Sequence, residues 1–388
     1  MKKLETKKIF IITGEHSGDL HASCAVKALK KTMPDIIIEA VGGENLQNQG
    51  VKLFRDHSNS EMGVVGISPQ AIINHIQLGL DIINYLKNEF KPDLVLLVDY
   101  GGFNLRMARE LKKHGIETFY YISPQVWASR RGRINMIKKY VSKLMVIFPF
   151  EENLHRSKGV NVEYVGHPLI SQLDREFSKE EFVKMNGLNP HKKIIGIFPG
   201  SRKMELKYMM SVFLGAAQII YGHSKKVQFC IGQAPNISDE LFQKYFNRYK
   251  DSDLDIKVLK NQNHALLACS DVVLLASGTI TLEAAIYKTP MVVSYKAPRL
   301  IYWLYLLLRY LSFVSLPNII AGKEIVKEYI QNEAKPELIA VETLSLLHNS
   351  VKREIMIEDL GQINKQLGDK IASDEVAKII KKYFDIHD

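Results

Sequence analysis

Cysteine is scarce in this sequence, with three residues in 388, and they lie far apart at Cys24, Cys230 and Cys269. Each has apolar neighbours, which is typical of small core side chains in a reducing compartment. Their spacing fits neither a disulfide framework nor a cysteine-based metal centre. We therefore expect a cytoplasmic protein in which these cysteines serve only as core residues.

Long apolar runs are also missing. Residues 300–308 are apolar and stand between Arg299 and Arg309, but a helix that spans a bilayer needs about 20 such residues. The basic N-terminus runs directly into a predicted strand, without the apolar stretch of a secretory signal. We expect neither a membrane span nor a secretion signal.

Positive charge exceeds negative charge, since 52 Lys and Arg against 42 Asp and Glu give a formal net charge of +10. Such an excess favours anionic partners. Nucleic acid is one of them, but here the basic residues stand beside large apolar side chains and form no dense tract, which favours an anionic membrane surface. From the charge alone, nucleic acid and an anionic membrane surface both stay open as partners.

Two apolar segments are candidates for that membrane contact. Residues 300–308 include Trp303 and Leu307, and their flanking arginines and aromatic side chains favour a membrane interface. In the segment 62–86, Met62, Val64 and Val65 precede a helical apolar pattern. Packing in a protein core is the alternative for both segments.

Strand patterns alternate with helical patterns along most of the chain, which is typical of doubly wound α/β sheets. The strands fall into two successive series: residues 8–14, 36–43, 94–100, 118–122, 144–148 and 163–165, then residues 194–198, 227–231, 256–259, 272–276 and 291–295. We predict two Rossmann-like domains that face a cleft, residues 1–168 and 169–351. Helices end the chain, and those at about 352–388 could pack back on the first domain.

Polar residues follow the first predicted strand, at the edge where open α/β sheets bind ligands. The glycines of residues 14–19 do not have the spacing of the GxGxxG dinucleotide fingerprint. Glu15, His16 and Asp19 could instead bind sugar hydroxyls, and a polar cap of the next helix is the alternative.

Asp99 follows residues 94–98, a run apolar enough to be buried on both faces of a sheet. A carboxylate at the end of such a strand is partly desolvated, which raises its proton affinity and makes it a better general base. The alternative is a carboxylate that caps the helix beginning near Asn104.

In the second series, the predicted strand 272–276 ends in Ser277, Gly278 and Thr279, and a helical pattern with Glu283 in its first turns follows. Backbone N–H groups and the positive end of a helix dipole at such a turn suit a diphosphate. Glu283 could accept hydrogen bonds from ribose hydroxyls. An ordinary capped turn is the alternative.

Two charged loops of the second half are interpreted differently. Arg202 follows another predicted strand, and its fork of N–H donors suits phosphate oxygens, with a solvated loop arginine as the alternative. Asp251, Asp253 and Asp255 resemble a metal-binding loop, but they precede a strand, on the side of the sheet away from its ligands. We therefore expect no metal site there.

Taken in order, these motifs resemble the lipid-A-disaccharide synthase family, glycosyltransferases of Gram-negative bacteria with the two-domain GT-B architecture. The resemblance covers essentially the whole chain. It rests on residues 14–19, 63–66, 99–104, 123–128, 148–151, 166–167, 199–202, 274–283, 290–293 and 315–322.

The resemblance implies an enzyme of lipid A biosynthesis that joins UDP-2,3-diacylglucosamine to 2,3-diacylglucosamine 1-phosphate through a β(1→6) bond and releases UDP. The residues it assigns to the UDP donor are Arg202, Ser277, Gly278, Thr279, Glu283 and Asn318. It assigns Asp99 to the acceptor. Gly102 stands where the family usually has a second Asp, and His16 and Ser129 where it often has Thr and Trp.

We therefore expect an inverting glycosyltransferase without metal or cofactor, with Asp99 as base and Glu15 and His16 in reserve. The expected acceptor and lipid contacts are Ser17, Asp19, Met62, Val64, Val65 and Asn104. The rival interpretations are another GT-B enzyme that uses a UDP-sugar (an epimerase or a peptidoglycan glycosyltransferase) and a nucleotide-sugar binding module without catalysis. The resemblance also implies peripheral association with the inner face of the inner membrane and no nucleic-acid partner, and the sequence is compatible with a homodimer.

Overall fold

The structure, a computed structural model, describes residues 6–56, 69–128, 131–174, 176–249, 254–298, 302 and 311–387. Of the predicted membrane segments 62–86 and 300–308, residues 62–68, 300, 301 and 303–308 lie outside these residues, as do Asp251 and Asp253 of the acidic loop. The chain folds into two compact units: Met1–Ser171 with Asp369–Asp388, and Gln172–Gly368.

The first unit is built on a parallel sheet. Its strands are β1 (Lys8–Ile12), β2 (Ile37–Gly42), β3 (Lys52–Asp56), β4 (Leu94–Val98), β5 (Thr118–Tyr121), β6 (Lys143–Val146) and β7 (Val162–Tyr164). Within the described residues they form a seven-stranded sheet in the order β3-β2-β1-β4-β5-β6-β7. The inner strands β1 and β4 are nearly continuous apolar runs, as expected for strands covered on both faces.

Helices cover both faces of this sheet. They are α1 (His16–Thr32), α2 (Glu44–Asn48), α3 (Pro69–Tyr85, continued by a π-helical turn, Leu86–Phe90), α4 (Gly101–Lys113), α5 (Arg133–Tyr140) and α6 (Pro149–Arg156). On one face, α3 and α4 pack Ile82 and Leu111 into the core. On the other, α1 packs Val26 and Leu29 against the C-terminal helix of the chain.

The second unit repeats this architecture. Its strands are β8 (Lys193–Phe198), β9 (Val227–Gln233), β10 (Ile256–Lys260), β11 (Val272–Ala276), β12 (Met291–Tyr295) and β13 (Lys327–Ile330), all parallel, in the order β10-β9-β8-β11-β12-β13. A short helix, α7 (Leu169–Gln172), spans the boundary of the units. The later helices are α8 (Lys179–Met185), α9 (Lys203–His223), α10 (Asp239–Phe246), α11 (Asn263–Cys269), α12 (Ile280–Ile286), α13 (Leu316–Ala321), α14 (Pro336–His348), α15 (Ser350–Leu367) and α16 (Ala372–His387). The predicted α/β class with two Rossmann-like sheets is confirmed.

The C-terminal segment needs a correction, because its two helices go to different units. α15 stays in the second unit, where its buried side chains include Met356 and Leu360 and it contacts α12 and α14. Asn364 on α15 also donates to the carbonyl of Ile286 at the end of α12, at 2.9 Å. Only α16 returns to the first unit, against α1. Among the described helices, none combines the length and the apolar character that crossing a membrane requires.

Candidate functional site

Asp99 lies in a strained turn at the carboxyl end of β4. Asp99 and Tyr100 both have left-handed backbone angles, with φ of 51° and 53°, which L-residues adopt at an energetic cost. The carbonyl of Asp99 accepts hydrogen bonds from the Tyr120 hydroxyl at 2.7 Å and from the Asn104 amide at 2.8 Å. These contacts hold the turn, and helix α4 begins immediately after it.

The ring of Tyr100 fixes the same turn from the side of β1. It lies over Gly14, where a Cβ atom would stand only 2.1 Å from the ring, so glycine is the residue that fits. The Tyr100 hydroxyl hydrogen-bonds to Nε2 of His75 on α3. The backbone around Asp99 is therefore held by contacts with four parts of the first unit: the turn after β1, strand β5, and helices α3 and α4.

The electrostatics of this turn favour a proton acceptor. Burial raises the pKa of Asp99, and the negative charge of Glu15 raises it further, while a backbone hydrogen bond from Tyr100 acts in the opposite direction. Burial and Glu15 also raise the pKa of Tyr100 to about 12. Two carboxyl groups thus approach each other here, and the more buried one holds a proton more strongly than an ordinary aspartate.

Glu15, His16 and Ser17 are exposed where α1 begins. Glu15 occupies the N-cap position, but its side chain makes no cap hydrogen bond. Glu15 lies close enough to Asp99 for its negative charge to raise the pKa of Asp99. Their predicted roles toward the substrate remain predictions.

We expected Asp19 and Asn104 to contact the acceptor, but both are buried, and the Asp19 carboxylate and the Asn104 NH2 group are hydrogen-bonded to the protein itself. Asp19 accepts hydrogen bonds from the backbone N–H groups of Gly43 and Asn45 at 2.7 and 2.9 Å, and so caps α2. Asn104 donates to backbone carbonyls after β4 and at the end of β1. These hydrogen bonds show that both residues support the turns at this edge of the sheet, where their side chains are almost fully buried.

Helix α3 has apolar side chains on two opposite sides. Leu78, Ile82 and Leu86 are buried in the core. Ile72, Ile73, Ile76 and Leu80 are instead exposed, by 49 to 60%. Core packing therefore holds for one side of the helix, and membrane contact by the exposed side stays a prediction.

In the second unit, five of the predicted donor residues line one cavity of about 920 Å³. They are Arg202, Ser277, Gly278, Thr279 and Glu283. They come from three separate elements, namely the turn before α9, the turn after β11 and helix α12. A cavity of this size suits a ligand as large as a nucleotide.

The turn after β11 presents backbone to this cavity. Gly278 and Thr279 are exposed, and a Cβ atom at Gly278 would meet no atom within 4 Å. Ser277 turns its hydroxyl away from solvent and donates to the carbonyl of Val314 at 2.9 Å. Helix α12 begins after Thr279 without a side-chain cap. Uncapped N–H groups at such a turn are suited to phosphate oxygens.

Glu283 lies on α12 with a side chain that is 17% exposed. Burial raises its pKa to about 7. The ring of His264, on α11, places Nε2 at 3.8 Å from a Glu283 carboxylate oxygen. The cavity thus holds a carboxyl group that changes charge near neutral pH, next to a histidine.

Asn318 does not belong to the cavity wall, and its predicted contact with UDP needs a correction. It is fully buried, and its amide donates to the Val326 carbonyl and to Glu328, each at 2.8 Å. Its Oδ1 accepts from the N–H groups of Ile325 and Val326 at 2.8 and 3.0 Å. All four hydrogen-bonding positions are occupied, so Asn318 fixes the loop between α13 and β13.

Sequence reasoning missed several residues of these sites. Glu205 lies three residues after Arg202, which is the spacing of a helix capping box and could have been noticed. His264 and Asn236 line the cavity without any sequence signal. Tyr100 and Tyr120, which hold the Asp99 turn, look like ordinary aromatic residues in the sequence.

Comparisons with known proteins cover nearly the whole chain. Residues 9–382 match the family model described as Lipid-A-disaccharide synthetase. The Lipid-A-disaccharide synthase of Syntrophus aciditrophicus is 39% identical over 368 residues, 94% of each chain. That of Coxiella burnetii is 36% identical over 380 residues, 97% of this chain and 98% of the relative. A solved UDP-GlcNAc 2-epimerase from Neisseria meningitidis, bound to UDP-GlcNAc, shares the fold with a TM-score of 0.63 at 15% identity, covering 97% of this chain and 99% of the other.

Proposed function

The chain belongs to the lipid-A-disaccharide synthetase family, and we propose that it joins UDP-2,3-diacylglucosamine to 2,3-diacylglucosamine 1-phosphate. The proposed products are the β(1→6)-linked tetraacyl disaccharide 1-phosphate and UDP. The observation that carries the proposal is the cavity in the second unit, where a guanidinium, an uncapped turn and a carboxylate converge. These are the groups that bind a phosphate chain and a ribose.

In this proposal the second unit holds the donor. Arg202 and the N–H groups after Gly278 neutralise the diphosphate, and Glu283 accepts hydrogen bonds from the ribose hydroxyls. Charge that develops on the departing UDP is met by these groups, so the reaction needs no metal ion.

The first unit supplies the base. The acceptor's 6-hydroxyl attacks the anomeric carbon from the face opposite UDP, which converts an α-linked donor into a β-linked product. Asp99 takes the proton of that hydroxyl as the new C–O bond forms, and UDP leaves with the electron pair of the bond that breaks. Its raised pKa makes the Asp99 carboxylate a stronger base than an ordinary aspartate. Glu15, which adds to that shift, and His16 are the reserve candidates.

The lipid character of both substrates gives the exposed side of α3 a role. Ile72, Ile73, Ile76 and Leu80 lie on the same unit as Asp99. In this proposal they contact acyl chains or the membrane surface, and the net charge of +10 adds attraction to anionic lipid. The enzyme would then work in the cytoplasm, attached peripherally to the inner membrane.

The test is incubation of the protein with both lipid substrates, followed by the mass and the NMR coupling constants of the product. We expect a disaccharide 1-phosphate with a β-linkage, one UDP released per disaccharide and full activity in excess EDTA. An epimerase would instead give an isomer of unchanged mass, and a binding module would release no UDP. A requirement for divalent cation, or an α-linked product, would contradict the proposed mechanism.

A further inference from the structure

Glu205 is the buried carboxylate at the start of α9, and three donors converge on it. One oxygen accepts from the N–H groups of Ser201 and Arg202 at 2.9 and 3.2 Å. The other accepts from Nη1 of Arg202 at 3.1 Å. Glu205 is only 5% exposed. It is thus the centre around which the turn before α9 is organised.

The backbone of this turn is shaped to fit that carboxylate. Gly200 has a φ of +112°, a conformation that favours glycine. A Cβ atom at Gly200 would lie 2.4 Å from Cβ and 2.5 Å from a carboxylate oxygen of Glu205. Residues with side chains are excluded by both the backbone angle and the contact, so the close wrap of the turn around Glu205 depends on glycine.

Arg202 is the side chain that this arrangement controls. It is 79% exposed and lines the nucleotide cavity, so it would sample many rotamers if nothing held it. Glu205 engages one terminal nitrogen, Nη1, while the guanidinium has five N–H donors in a fixed fork. A fork held at one corner can still present its other donors to phosphate oxygens.

We propose that Glu205 is a positioning residue of the diphosphate site, which holds the turn and the Arg202 guanidinium ready for the nucleotide. This inference rests on the proposed binding of UDP by Arg202. Preorganisation raises affinity because the ordering of a flexible arginine is completed before the ligand arrives. The negative charge of Glu205 would repel a diphosphate, but three donors, one of them cationic, already offset that charge.

The test is a double-mutant cycle read by calorimetric titration with UDP. Glu205→Gln keeps the size and one oxygen for the backbone N–H groups, but it loses the ion pair with Arg202. We expect UDP affinity to fall about tenfold in Glu205→Gln and more in Arg202→Ala, within the usual range for charged hydrogen bonds. The double variant should bind like Arg202→Ala within about twofold, since Glu205 acts through Arg202.

Glu342→Gln is the matched control. Glu342 is 6% exposed, belongs to the same unit and forms an ion pair with Lys352 at 2.7 Å, and it does not line the cavity. Its variant should keep normal UDP affinity. If Glu205→Gln fails to fold, Glu205→Asp withdraws the carboxylate from the guanidinium while keeping the charge, and the same loss and the same coupling are expected.

The outcomes separate this inference from the function on which it rests. If the unmodified protein binds no UDP, the donor site and this inference both fall. If it binds UDP but the two substitutions act independently, or Glu205→Gln binds UDP as well as or better than the unmodified protein, only the positioning role is overturned. Melting temperatures measured on the same preparations show whether a loss reflects unfolding.

Discussion

The two units carry the same architecture but opposite chemistry at the carboxyl ends of their strands. In the first, a strained turn after β4 presents Asp99, whose pKa is raised by burial and further by a second carboxylate, Glu15. In the second, the turns after β8 and β11 present Arg202 and uncapped backbone to a cavity. One edge is suited to take a proton and the other to hold an anion. The parallel sheet fixes where a ligand binds, and a few side chains decide what is done there.

Two buried glutamates, one in each unit, show the same kind of difference between similar structural positions. Glu151 and Glu205 each occupy the third position of a helix and accept from the N-cap N–H. The second oxygen of Glu151 accepts from the indole of Trp127 at 2.8 Å, and burial raises the pKa of Glu151 to about 7. The equivalent oxygen of Glu205 faces the guanidinium of Arg202. The two capping glutamates thus differ in the partner of their second oxygen, which is a tryptophan indole for Glu151 and a charged arginine at the cavity for Glu205.

The strongest test of the comparison removes the proton acceptor of the first unit. Asp99→Asn keeps the size of the side chain and removes its basicity. Loss of general-base catalysis typically lowers turnover by about 10²–10⁴. We expect that loss in kcat, with an unchanged UDP affinity, because the donor cavity lies in the other unit.

A melting curve on the same preparation shows whether Asp99→Asn folds. The protonated form of Asp99 cannot act as base, so kcat of the unmodified enzyme should fall when acid protonates this residue. Because the pKa of Asp99 is raised, we expect that fall to begin at a higher pH than for an ordinary aspartate. Near-normal turnover in a folded variant would move the role to Glu15 or His16.

The second test removes the guanidinium of Arg202 from the cavity of the second unit. Arg202→Ala should weaken UDP binding by about 1.5–3 kcal/mol, the usual range for hydrogen bonds to charged groups, which is about 10- to 150-fold. Calorimetric titration measures it, with Arg248→Ala as control, because Arg248 is also exposed in this unit and does not line the cavity. Unchanged affinity in Arg202→Ala would show that the diphosphate binds elsewhere.

Among the described strands, the sequence missed β3 and β13, one edge strand of each sheet, and predicted the others, including the edge strands β7 and β10. β3 and β13 mix charged with apolar residues, because an edge strand is covered less than an inner one. Strand-end position alone placed Asp99 after β4 and Gly278 after β11, where the structure has them. It could not tell that Asp19 and Asn318 face inward, since their hydrogen-bond partners come from other turns of the chain. The left-handed angles of Asp99 and Tyr100 depend on contacts with β5 and α4, which no local pattern encodes.

We expect pH to have a smaller effect, on the affinity of the donor cavity for uridine. The pKa of Glu283 is about 7, so its carboxylate, the better acceptor for ribose hydroxyls, loses population below that pH. Uridine affinity should therefore fall as pH decreases from 8 to 6, by up to about tenfold per unit below the pKa. Uridine is the right probe because it carries no phosphate that titrates in this range.

Substitutions of Glu283 and of His264 show which of these two titratable groups causes the pH dependence of uridine affinity. Glu283→Gln should abolish the pH step, whereas His264→Gln should keep it. Since the folded pKa of Glu283 lies above its ordinary 4.5, this group's contribution to stability is lost as pH rises towards 7. At pH 8 a folded Glu283→Gln should therefore melt above the unmodified protein. A flat uridine profile in the unmodified protein would contradict the assignment of Glu283 to the ribose.

The smallest expected effect concerns the exposed apolar side of α3 in the first unit. Ile76 is 55% exposed there, and withdrawing some 40 Å² of apolar surface from lipid costs about 1 kcal/mol. Ile76→Ser should thus weaken binding to anionic vesicles about fivefold, while rising salt weakens the remaining electrostatic part. Val351→Ser is the control, because Val351 is 63% exposed on α15 of the second unit. If both variants lose vesicle binding equally, lipid contact is not a specific property of α3. If neither variant loses binding, the attraction to the vesicle is electrostatic or belongs to another segment.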